Sequence, residues 1–68
     1  MSFNYYPIKE YSFINATERA KEESMEHPDH FIYLFKSNHG HYLIDVLGLP
    51  KFSDERLIAT YRKGEKTL

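Results

Sequence analysis

Two apolar runs dominate the chain: "FIYLF" at 31–35 and "YLIDVL" at 42–47, separated by "KSNHGH". Both are rich in aromatic and β-branched residues, which suits strands. Asn38 and Gly40 between them are turn residues, Gly40 because it accepts positive φ without a steric penalty. A three-residue loop is predicted, a type I turn with Gly40 in the left-handed position of a bulge. That register sets Leu34 opposite Ile44 and Phe35 opposite Leu43. Ile32, Leu34, Ile44 and Val46 then share one face, and Phe31, Tyr33, Phe35, Leu43, Asp45 and Leu47 share the other. A two-residue loop is the alternative, and it would exchange the faces that meet.

Upstream, "NATERAKEESMEH" carries the one clear helical pattern. Asn15 with Glu18 three residues on resembles a capping box, and Pro28 disfavours helix at His27. A helix over about 16–27 follows, with a thin stripe of Ala16, Ala20 and Met25 beside Ser24. Glu18, Lys21, Glu22 and Glu26 fall on its wet side. The opening stretch through Tyr11 and Phe13 suits a strand, with Pro7 making its first half an edge or an irregular lead-in. "SDERLIATYRKGEKTL" reads two ways. As a helix it has Ser53 as cap and Gly64 as stop. As a strand it alternates through Leu57, Ala59 and Tyr61. The β-branched and aromatic content of "LIATY" and the strand-to-turn look of "YRKGE" tip 54–63 to strand. The expected fold is α+β: one domain over 1–68, one helix on a three- to four-stranded, mainly antiparallel sheet containing a 31–47 hairpin.

At 68 residues without cysteine, the chain has no disulfide and no thiolate-held metal to brace it. Six tyrosines and five phenylalanines supply the apolar area instead. No apolar stretch is long enough to span a membrane, and the start lacks a basic region followed by an apolar run. The cytoplasm is the expected location. The net charge of −1 argues against a general nucleic-acid binder. Charge is unevenly spread: the first thirty residues are acidic and the remainder is slightly basic.

A strand covered on one face alternates apolar and polar residues, but "FIYLF" is apolar on both faces. One thin helix covers one face. The second is covered by the aromatic N-terminal segment (Phe3, Tyr5, Tyr6), by the tail, by a second copy, or by a partner. Exposed apolar patches mark interaction sites. The expected function is therefore a non-enzymatic module binding a protein partner or itself through Phe31, Tyr33, Phe35, Leu43 and Leu47. A small regulator from a phage or mobile element fits that size. The alternative is single-stranded nucleic acid, with Tyr33, Phe35 and Tyr42 stacking on bases beside Lys36, Arg56, Arg62 and Lys63.

The four histidines raise metal binding, since zinc takes four such nitrogens. Their spacing matches no standard module, and no metal or cofactor is expected. Asp45 with His41, Asp29 with His30, and Ser37 with His39 are conceivable acid–base or nucleophile pairs. Each of these residues has a simpler place in a turn or on a solvated face, so no catalytic residue is assigned.

Overall fold

The computed structural model describes residues 6–50 and 54–67. Its elements are β1 (Ile8–Glu10), α1 (Phe13–Glu26), β2 (Ile32–Lys36), β3 (Tyr42–Asp45), β4 (Arg56–Arg62) and β5 (Glu65–Lys66). The sheet has strand order β1-β3-β2-β4-β5, with every neighbouring pair antiparallel. β1 and β2 therefore run parallel with β3 between them, a split β-α-β unit with α1 as the crossover. Among the described residues the sheet has five strands rather than three or four: β1 lies in the opening stretch expected to hold a strand, and the short edge β5 is the addition.

The central hairpin has the expected register. Leu34 pairs with Ile44 and Phe35 with Leu43. The Ser37 amide donates to the His41 carbonyl at 3.0 Å, and Gly40 sits at φ 86°. β4 resolves the ambiguity at 54–63 in favour of strand, joined to β2 with a bulge opposite Leu34 and Phe35. The "YRKGE" turn closes the β4–β5 hairpin through two left-handed residues, Lys63 at φ 54° and Gly64 at φ 82°. Positive φ at both central positions is the two-residue hairpin geometry that matches strand twist.

The helix begins three residues earlier than expected. Ser12 is its N-cap, in extended backbone, and its Oγ accepts the Asn15 N–H at 3.3 Å. The Ala16 amide already donates to the Ser12 carbonyl at 2.8 Å. Phe13, expected in a strand, thus opens α1. The serine cap outweighs the β-propensity of Phe13 and Ile14, which is only a weak bias. Pro28 ends the helix as expected, with His27 as C-cap.

The core between helix and sheet comprises Ala16, Ala20, Ile32, Leu34, Ile44, Ala59 and Tyr61, with Ile8, Tyr42, Val46 and Ile58 around it. Ala16 and Ala20 stand one turn apart and let α1 lie close to the strands. The next position on that stripe is Ser24 rather than Met25, which is exposed. Ser24 Oγ donates to the Lys21 carbonyl at 2.7 Å and accepts the Gly64 N–H at 2.9 Å. A polar residue suits the site because it satisfies a buried backbone donor of the β4–β5 turn. Glu23 is also buried. Tyr6 donates its hydroxyl to Glu23, and Arg19 Nε approaches the other carboxylate oxygen at 3.4 Å.

On the second sheet face Phe35 is 2 % exposed and Leu43 5 %, with Asp45 and Thr60 also buried. Phe3 and Tyr5, expected there as a cover, lie outside the described residues. Tyr6 does not cover it, since its ring lies edge-on to His27 at the end of α1. The chain leaving β3 does approach this face. A Cβ on Gly48 would stand 3.0 Å from the Tyr33 ring. Asp45 begins that excursion by accepting the Val46 N–H at 2.7 Å.

Candidate functional site

The hairpin tip carries a compact polar constellation. Ser37 is buried, and its Oγ accepts the His39 N–H at 3.0 Å, which locks the turn. The same hydroxyl donates to Asp54 Oδ2 at 3.1 Å. His39 Nε2 lies 3.0 Å from that same oxygen. Asp54 thus stands at the centre, receiving a hydroxyl and an imidazole. A nucleophilic serine needs a base to take its proton. Here the hydroxyl is directed at the carboxylate, and the imidazole is turned to the same atom rather than to Ser37. The arrangement braces the hairpin tip against the chain entering β4. Asp45, imagined as a partner of His41, instead caps the turn after β3. Asp29 and His30 both lie exposed in the turn after α1.

Beside this brace lies a half-open cavity of about 520 Å³. β1 contributes Lys9 and the preceding Pro7, and β3 contributes Leu43 and the adjoining His41. Ser37, His39 and Asp54 form the remaining wall. The register explains the grouping. Lys9 pairs with Leu43 across the β1–β3 ladder, and His41 precedes Leu43 by two residues, so all three share the face away from α1. The lining is mainly apolar, as small-molecule sites usually are, and the volume is in their range of roughly 300–1,000 Å³. Neither Lys9 nor His41 has a side-chain hydrogen bond or ion pair among the described residues.

A second feature adjoins the cavity through His41. Tyr11 meets the His41 ring edge-on at 6.3 Å, and Phe13 tilts against Tyr42 at 5.8 Å. Both contacts leave large areas in water: Tyr11 is 73 % exposed, Ile14 66 % and Phe13 56 %. This aromatic corner lies where β1 turns into α1, in a stretch whose side chains favour a strand and so do not predict a surface here. The signal that could have found it is Ser12, whose capping places Phe13 and Ile14 in a first helical turn.

The residues expected at a protein contact are dispersed. Phe35 and Leu43 are buried, Tyr33 is half-buried, and Phe31 and Leu47 are exposed. Phe31 is already partly engaged, because the Arg62 guanidinium lies 4.9 Å above its ring. Arg62 also donates to the Pro28 carbonyl at 3.3 Å. The stacking set for nucleic acid does not form one platform. Tyr42 faces α1, opposite to Tyr33 and Phe35, and Phe35 is inaccessible. Lys36, Arg56 and Lys63 are exposed, with Lys36 and Arg56 paired across β2 and β4.

The four histidines do not gather. His27 caps the C-terminal end of α1 and His30 follows it, whereas His39 and His41 flank Gly40 at the hairpin tip. Among the described residues, the group with ligand geometry is Glu23, Glu26 and His27. Glu23 is already engaged by Tyr6 and Arg19, with His27 Nε2 at 3.7 Å. Among the described residues, no helix is long and apolar enough to cross a membrane. The chain matches no protein-family model, no curated protein and no solved structure.

Proposed function

We propose that the chain is a small non-enzymatic binding module that works by contact with another protein, and that the corner of Tyr11, Phe13 and Ile14 is the contact. The carrying observation is the exposure of these three large apolar side chains on one turn of so small a domain. Burying each would contribute about 1.5–3 kcal/mol, and the fold leaves that unused while packing α1 with Ala16 and Ala20. Apolar surface of this kind marks interaction sites. The sheet edges support side-chain contact over strand addition. β1 and β5 are three and two residues long, and each carries an exposed lysine, Lys9 and Lys66. Short edges with lysine discourage another strand from pairing. The polar constellation at the hairpin tip supports the non-enzymatic reading, because Ser37 is buried and its oxygen already accepts the His39 amide.

A photo-reactive phenylalanine analogue placed at position 13 tests this reading in the native host. Discrete adducts are expected from position 13 and not from Met25, an equally exposed apolar position further along α1. An adduct of twice the chain mass identifies a second copy, and a heavier one identifies another protein. Absence of any discrete adduct, or the same adducts from Met25, would overturn the proposal.

A further inference from the structure

We infer that the cavity beside the hairpin tip binds a small organic carboxylate with an apolar body. This site adjoins the aromatic corner through the Tyr11–His41 contact, but its test reads Lys9 and a small-molecule probe, so it can fail while the protein-contact reading stands. The charge distribution within the cavity selects the ligand. Among the described residues its acidic side chain is Asp54, and one oxygen of that carboxylate already receives both the Ser37 hydroxyl and the His39 imidazole. Ser37 is equally committed, because its oxygen also accepts the His39 amide. Among the described lining residues, the Lys9 ammonium and the His41 imidazole are the side chains with no internal hydrogen bond or ion pair. Lys9 offers only donors, and His41 offers at least one. A ligand that meets both must therefore present acceptors, and a fixed cation favours an anionic one.

Pro7 and Leu43 set the rest of the ligand's chemistry, because they supply apolar wall beside the two donors. A fully hydrated inorganic anion would leave that wall unused, whereas an acid with an alkyl or aryl body covers it. The donors also come from different strands. Lys9 is on β1, and His41 precedes β3 at the point where Tyr11 packs against its ring. That edge contact gives the imidazole one aromatic neighbour outside the cavity, which narrows the orientations it samples. Removing the Lys9 charge leaves the brace of Ser37, His39 and Asp54 in place, so the two can be separated by mutation.

Titration of the full chain with hexanoate, followed through backbone amide NMR shifts, tests the site, with hexanamide as the uncharged isostere. Saturable shifts are expected at Lys9, His41 and Leu43, with affinity on the order of millimolar for so small a probe. Hexanamide should bind at least about tenfold more weakly, the difference expected for loss of one charge-assisted contact. Lys9→Gln should remove that preference for the acid, and Lys66→Gln, on the far edge of the sheet, should not. His41→Gln provides a second variant if Lys9→Gln alters the β1 edge. Equal binding of acid and amide, shifts centred away from these residues, or no saturation with hexanoate would overturn the inference.

Discussion

Replacing Gly64 by alanine should cost more than replacing Gly40, although the two share a backbone conformation. Gly40 has φ 86°, and a Cβ there would meet nothing within 4 Å. Only the left-handed backbone opposes alanine, about 1 kcal/mol after the entropy that alanine removes from the unfolded chain. Gly64 has φ 82°, but its Cβ would stand 2.8 Å from Met25 Cγ and 3.1 Å from Met25 Sδ. Met25 must then leave its rotamer, at about 0.5–1.5 kcal/mol. The shift also strains the Gly64 N–H bond to Ser24 Oγ, worth about 1 kcal/mol. With the backbone cost shared with Gly40, the sum is about 2.5–3.5 kcal/mol. Thermal unfolding by circular dichroism reads the difference, since 1 kcal/mol moves the midpoint by roughly 4–8 °C in a domain this size. Met25 is exposed, so Met25→Ala alone should change stability by less than about 0.5 kcal/mol. In the Gly64→Ala background it should recover the rotamer part of the cost, a coupling that a double-mutant cycle isolates. Equal costs at the two glycines, or no coupling to Met25, would refute the packing of α1 on the β4–β5 turn.

Two further predictions concern the helix start and the core. Ser12→Ala should destabilise by about 1 kcal/mol, while Asn15→Ala should be neutral or mildly stabilising, because the cap is Ser12 and Asn15 lies within α1; urea unfolding of both variants checks the order. Tyr61 is buried in the core, and burial raises its pKa above the ordinary 10.0. Its contribution is therefore fully present below about pH 10 and is lost as pH rises through the folded-state value. Tyr61→Phe should flatten the alkaline limb of a melting-temperature profile, and an unchanged limb would mean that Tyr61 does not govern it.

The central hairpin was legible because its information is local. Asn38 and Gly40 fix the loop, the loop fixes the register, and the register pairs Leu34 with Ile44. Pro28 stopped the helix for an equally local reason. The helix start was misread because Tyr11, Phe13 and Ile14 have strand-like side chains, and one serine hydroxyl decides the backbone against them. The brace at the hairpin tip was half legible. Ser37 and His39 stand together in the sequence, but Asp54, seventeen residues beyond Ser37, gives His39 its partner. Nothing near Asp54 in the chain announces that meeting, which depends on how β4 returns beside β2. The cavity was invisible for the same reason, because Lys9 and His41 come together only through the β1–β3 ladder.

The most direct test of the proposed contact separates binding from stability at one residue. Ile14 is 66 % exposed, so Ile14→Ser should leave the melting temperature within a few degrees. With a photo-cross-linker at Tyr11, the wild-type background should yield a discrete adduct, and the Ile14→Ser background should lose most of it. An adduct that survives Ile14→Ser undiminished, in a variant that remains folded, would contradict the assignment of this corner as the contact surface.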